Sequence, residues 1–278
     1  MSSLRTPVSS INIHRLDQGV ASPADDILVA EEPLEIRLGH GPLDDRKEFR
    51  LSVTMRTPGN DEELALGFLY TEGIIGDPAQ VVRVAYCEDV KEEERGNVVR
   101  AELRPEVDVD AAKWQRNFYT TSSCGVCGKS SIDAVRTQCT VPLGKAPDLT
   151  PALITSLPDR MREAQTLFKH TGGIHAAALF NGKGELLLLR EDVGRHNAVD
   201  KLVGAMLNEQ RVTSNVLLLV SGRVGFELVQ KCVMAGIPAM AAVGAPSSLA
   251  VQLARESGLS LIGFLRGERF NVYSGTLA

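Results

Sequence analysis

From His175 to the C-terminus, short apolar runs alternate with segments of helical period, and that rhythm leaves few architectures open. His175–Phe180 and Glu185–Arg190 read as strands around Asn181-Gly-Lys-Gly184, a tight hairpin turn. A helix is expected from Arg195 to about Leu207, because Val199, Leu202, Val203 and Met206 recur at helical spacing. Strand Val216–Val220, helix Phe226–Ala235, strand Ala239–Val243, helix Ser247–Glu256 and strand Leu259–Phe264 follow. Strands that are apolar on both faces and separated by single helices predict a largely parallel sheet covered on both sides, a three-layer α/β unit.

Upstream the pattern changes. Phe49–Met55 alternates apolar and polar residues, as a half-buried strand does, and Asn60 or Asp61 is placed to cap a helix carrying Leu64, Phe68 and Leu69. Val81–Tyr86 and Val98–Leu103 read as a strand pair joined by the solvated charge run Glu88–Gly96. A short helix is expected from Asp110 to Trp114 and another over Ser130–Thr137. Pro142, Gly144, Pro147 and Pro151 then mark a connector, before a helix from about Ser156 to Phe168 that stops at Gly172-Gly173. The expected organisation is a flexible N-terminus (1–25), a smaller α+β portion (26–120), a cysteine-motif loop and connector (121–150) and the three-layer domain (151–278).

The 278 residues carry 44% hydrophobic and 23% charged side chains and a net charge of −5, with Lys and Arg scattered. That balance speaks against nucleic-acid binding. No apolar run approaches the ~18 residues of a membrane helix, and the polar start lacks a secretory core, so a cytoplasmic protein off the membrane is expected. Of five cysteines, Cys87, Cys139 and Cys232 stand alone, and Cys232 lies in an apolar helical stretch that suits a buried core residue.

The other two form Ser122-Ser-Cys-Gly-Val-Cys-Gly-Lys-Ser130, a polar, glycine-rich turn before a helical segment. Thiolate is the reactive form of cysteine, and a helix N-terminus with a nearby cation such as Lys129 favours it. Structural zinc needs four ligands and finds here one Cys-x-x-Cys pair, with His170, His175 and His196 distant in sequence. A dithiol redox site, a pair of buried thiols and a sulfur relay are the other readings, and an exposed low-pKa thiol suits the relay best. Three glycine- and arginine-bearing loops, Arg190–Asn197, Ser221–Gly225 and Gly244–Ser248, fall where strands hand over to helices and ligands commonly bind. Arg195-His196-Asn197 places a cation, a titratable ring and an amide together, with Asp192 near enough to orient the histidine.

Thr120–Gly128, Thr171-Gly-Gly-Ile-His-Ala-Ala-Ala178, Glu191-Asp-Val-Gly-Arg-His-Asn-Ala-Val-Asp-Lys201 and Val220-Ser-Gly-Arg223 together resemble the formate dehydrogenase accessory sulfurtransferases, the FdhD family. The resemblance runs from about Asp26 to the C-terminus. It implies a cytidine-deaminase-like fold and a sulfur carrier that takes persulfide sulfur from a cysteine desulfurase. The sulfur would pass to the molybdenum (or tungsten) bis(molybdopterin guanine dinucleotide) cofactor, which then enters apo formate dehydrogenase. By motif position Cys124 would carry the persulfide and Cys127 would assist. The family's cofactor stretch falls on Phe264, Leu265, Arg266, Gly267, Glu268 and Arg269, with Arg195, His196 and Arg223 as further contacts. A homodimer and no permanently bound metal are expected. The alternative is a chaperone that shelters the cofactor without transferring sulfur. Zinc-dependent deamination is not expected, since the helix starts read His196-Asn-Ala198 and Ser221-Gly-Arg223 and lack the glutamate and paired thiolates it requires.

Overall fold

The computed structural model describes residues 5–110 and 142–278. The cysteine turn with Cys124 and Cys127, Lys129, Cys139 and the expected helices at 110–114 and 130–137 therefore lie outside the described residues, apart from Asp110.

The strands at Val81–Tyr86 (β5), Val98–Leu103 (β6) and Val216–Val220 (β9) have the bounds that their side-chain patterns predict. Β3 (Glu32–His40), β4 (Lys47–Arg56), β5 and β6 form a four-stranded sheet in the order β4-β3-β6-β5. Helix α1 (Asp61–Thr71) covers one face of it, packing Leu64, Ala65 and Leu69 on Leu34, Ile36, Leu38 and Val99. The opposite face is an ion-pair lattice that includes Arg37–Glu48, Arg100–Glu48 and Arg100–Glu102. Asn60 starts α1 from a left-handed conformation with no side-chain cap. The expected cap at Asp61 is instead a buried partner of Arg56 (2.8 Å), with the Tyr86 hydroxyl donating to the same carboxylate. An arginine that is fully buried outcompetes a helix end for the acid.

The second sheet has six strands: β7 (His175–Asn181), β8 (Leu186–Asp192), β9, β10 (Ala239–Ala242), β11 (Ser260–Arg266) and β12 (Arg269–Ser274), in the order β12-β11-β10-β9-β7-β8. Helices α4 (Arg195–Asn208), α5 (Phe226–Met234) and α6 (Ser248–Ser257) cover one face. Α2 (Pro151–Ala164) covers the other through Ile154, Leu157 and Met161. The three-layer expectation holds. Its largely parallel sheet does not: β9–β10 and β10–β11 pair parallel, but β7–β8, β7–β9 and β11–β12 pair antiparallel. The hairpins at both ends turn the chain back, and β12, none of whose residues is buried, carries no apolar run that would mark it in the sequence. The helix expected from Ser156 begins at Pro151, whose missing N–H suits a first turn, with Thr150 accepting from Leu153 N. It ends at Gln165, and α3 (Thr166–Thr171) takes over.

The segment read as a flexible lead-in is also different. Β1 (Val8–Asp17) and β2 (Val20–Val29) form a hairpin in continuous register. Its two-residue turn is Gln18-Gly19, both with positive φ, the geometry that matches strand twist. Cys232 is fully buried in the core of the second unit, and burial pushes its thiol far up. No helix among the described residues is long and apolar enough to cross a membrane.

Α1 and α4 join the two units at a seam of two glycines. A methyl at Gly67 would overlap the Asp200 carbonyl and lie 2.9 Å from Gly204 N. A methyl at Gly204 would overlap the Glu63 carbonyl and lie 2.8 Å from its Cα. Arg190 reinforces the seam with a two-point pair to Glu63 (2.6 and 2.7 Å).

Candidate functional site

Β8, β9, β10 and β11 run the same way, so their carboxyl ends and the start of β7 meet on one side of the sheet. The loops there are bonded to one another: Gly244 N donates to Gly222 O (3.1 Å), Val224 N to Ala245 O (3.0 Å) and Ser247 N to Val224 O (2.9 Å). Phe264 N donates to Gly244 O (3.0 Å), which ties in the end of β11. Gly244 permits this crossing, since a Cβ there would sit 2.7 Å from Gly222 O.

The turn from β8 into α4 is organised by Asp192, which is wholly buried. One carboxylate oxygen accepts from Gly194 N (2.8 Å) and Asn197 Nδ2 (3.0 Å), the other from Thr57 N (3.1 Å) and Lys201 Nζ (2.7 Å). Lys201 also donates to Thr57 O (2.7 Å). Asn197 donates to Met55 O (2.8 Å) and accepts from the Thr54 hydroxyl (3.1 Å). A single carboxylate thus fixes the turn that presents Arg195 and His196, and ties it to the first sheet. The expected role of Asp192 in orienting His196 is corrected: the partner is Glu227, on the first turn of α5, at 2.7 Å from His196 Nε2.

Two clefts open at this edge. The first, about 580 Å³, is lined by Arg162, Phe168, His175, Ser221, Leu265 and Arg266 among others. Arg162 stacks over the Phe168 ring at 4.0 Å, and Glu191 caps the start of α3 by accepting from Leu167 N and Phe168 N (both 2.9 Å). The second, about 410 Å³, lies between β4 and the starts of α4 and α5 and holds Arg195, His196, Glu227 and Lys231. His175 and Val193 line both. Lys231 sits at the second cleft between Glu72 (2.8 Å) and Asp200 (3.0 Å). Burial works against its charge, but the two carboxylates outweigh burial and hold the ammonium raised.

The expected contacts therefore divide. Leu265 and Arg266 line the first cleft, Arg195 and His196 the second, and the exposed Arg223 lines neither. Phe264, Gly267, Glu268 and Arg269 are exposed around the β11–β12 turn. Glu227, Lys231, Asp200, Arg162 and Phe168 were not singled out from the sequence. Glu227, Lys231 and Asp200 acquire their places through contacts between elements distant in the chain, and Arg162 and Phe168 by meeting across the join of α2 and α3. Among the described residues no three His, Cys, Asp or Glu side chains group as a metal site.

His175 is half-buried, and desolvation, followed by the nearby Arg195 cation, lowers its pKa below the ordinary 6.5. The unfolded chain then binds the proton more tightly than the folded one. This penalty is absent above pH 6.5 and grows as pH falls below it towards the folded value. His175→Gln should flatten the loss of stability between neutral and mildly acidic pH. Urea denaturation of both forms at several pH values checks this, and parallel pH profiles would refute it.

A family model described as the FdhD/NarQ family matches residues 29–277. Proteins named sulfur carrier protein FdhD are similar along nearly the whole chain. That of Streptomyces avermitilis is 54% identical over 94% of this chain and 92% of its own. That of Mycolicibacterium paratuberculosis is 50% identical (94% and 95%), and that of Sulfurisphaera tokodaii is 43% identical (96% and 97%). The crystal structure of a protein described as a formate dehydrogenase accessory protein, from Desulfotalea psychrophila, superposes with a TM-score of 0.72 at 24% identity, covering 97% of each chain.

Proposed function

Because the chain belongs to the FdhD/NarQ family, we propose that it is a sulfur carrier that moves persulfide sulfur from a cysteine desulfurase to a molybdenum (or tungsten) bis(molybdopterin guanine dinucleotide) cofactor serving formate dehydrogenase. The observation that carries this reading is the agreement in name among curated relatives at 43% to 54% identity over most of the chain. Cys124 accepts the sulfane sulfur as a persulfide. Cys127 then attacks the Cys124 sulfur as a thiolate, the S–S bond to the outer sulfur breaks, and hydrosulfide passes to the metal as the two cysteines close a disulfide. A thiol reductant returns the pair to the reduced form. The cofactor is the substrate, and its phosphates suit the first cleft, where Arg162 and Arg266 supply positive charge beside Ser221. His196, oriented by Glu227, and Arg195 face the neighbouring cleft.

Incubating the chain with a cysteine desulfurase and cysteine, then mapping peptides by mass spectrometry, tests the assignment. An adduct of about 32 Da, one sulfur atom, is expected on Cys124 and should be lost in Cys124→Ala. Absence of any adduct, with formate dehydrogenase activity still restored by Cys124→Ala in a deletion strain, would favour the sheltering chaperone.

A further inference from the structure

Β4 is an outermost strand of its sheet, and four consecutive residues of it, Ser52 to Met55, line the second cleft. Side chains alternate along a strand, so contact with four in a row places the cleft along the strand's edge. The register shows which main-chain groups point there. Met55 lies opposite Pro33, which has no N–H to donate, and Val53 lies opposite Glu35. The Met55 carbonyl turns outward to Asn197 Nδ2, which makes Pro33/Met55 a pair without mutual hydrogen bonds. The same parity turns the Val53 N–H and C=O and the Met55 N–H outward. Among the described residues none of these three has a partner. The two side chains are about half exposed, at 53% and 47%.

Strand edges are ordinarily blunted by lysine, proline or a bulge. Β4 has its lysine, Lys47, and its irregular register (opposite Ile36/Arg37) on the far side of Ser52, which leaves 52–55 open. Among the charged side chains lining the cleft, His196 is paired with Glu227 and Lys231 with Glu72 and Asp200, while Glu31 also lines it. Arg195 is different, because its buried Nε has no hydrogen-bond partner.

We propose that this edge docks an extended acidic segment of a partner protein, which adds to the first sheet as a further strand and brings a carboxylate to Arg195. Main-chain pairing at Val53 and Met55 supplies affinity, and the acid supplies selection. The inference is independent of the sulfur-transfer reading.

The probe is an end-blocked, fluorescein-labelled peptide of about seven residues, alternating Val and Thr around one central Glu, titrated into the full chain by anisotropy. Two further versions carry backbone N-methyl groups on alternate residues, one on each set. Binding is expected for the parent peptide. One methylated set should weaken it about tenfold or more while the other leaves it unchanged, since successive amides of a docked strand face opposite ways. Arg195→Gln should weaken the Glu peptide and leave its Gln counterpart unaffected. Equal behaviour of the two methylated sets, or no binding by about 1 mM, would overturn the proposal, as would equal loss of both peptides in Arg195→Gln.

Discussion

Gly67→Ala is expected to lower the unfolding free energy by about 3 kcal/mol, at the upper end of what overpacking ordinarily costs. The added methyl meets the main chain of Asp200 and Gly204, and main chain within a helix cannot swing aside as a side-chain tip can. Α1 would have to lift from α4, straining the Arg190–Glu63 pair and the Thr71–Asp200 hydrogen bond (2.7 Å). Gly204→Ala should cost a similar amount, and the double variant less than the sum, because the first lift makes room for the second methyl. Gly76→Ala is the control, since a Cβ there meets nothing within 4 Å, and it should change stability by less than about 1 kcal/mol. Urea denaturation of the four variants decides the matter. A Gly67→Ala protein within about 0.5 kcal/mol of the parent would show that the helices slide freely at this seam.

Asp192→Asn should be comparably damaging, at about 3 kcal/mol, for an electrostatic reason. The change keeps the size and one acceptor but leaves the Lys201 ammonium, itself 2% exposed, with Thr57 O and no counter-charge. Removing the lysine as well, in Asp192→Asn with Lys201→Met, should return part of the loss, because the stranded charge then disappears. Equal losses in the single and double variants would mean that the carboxylate acts through its hydrogen bonds from Gly194, Thr57 and Asn197 alone. The turn carrying Arg195 and His196 should loosen in either case, so the same variants should weaken any ligand of the second cleft.

Features written locally in the chain were legible. The apolar run Val216–Val220, the alternation at Val98–Leu103 and the helical spacing after Arg195 gave elements within a residue or so of those observed. Features decided at a distance were not. Β7 aligns antiparallel to β9, which no local pattern encodes, and neither strand of the β1–β2 hairpin keeps up the strict apolar–polar alternation that would mark it in the sequence. At the site, Arg195 and His196 could be picked out by residue type and position, whereas Leu265 and Arg266 were pointed to only by the family resemblance. Glu227 as the partner of His196, and Asp192 as the clamp of the turn rather than of the imidazole, depend on how α4, α5 and β4 come together. Asp61 shows the same limit: a good helix-capping residue by type, it is claimed by a buried arginine.

The main-chain lacing of Gly222, Val224, Gly244 and Phe264 has an entropic consequence. Fixing a residue's backbone costs roughly 1–2 kcal/mol, and here folding has already met that cost for the residues next to Ser221, Val243 and Leu265 of the first cleft. A ligand of that cleft would meet loops whose main chain is already fixed, and less of its binding energy would go into ordering them.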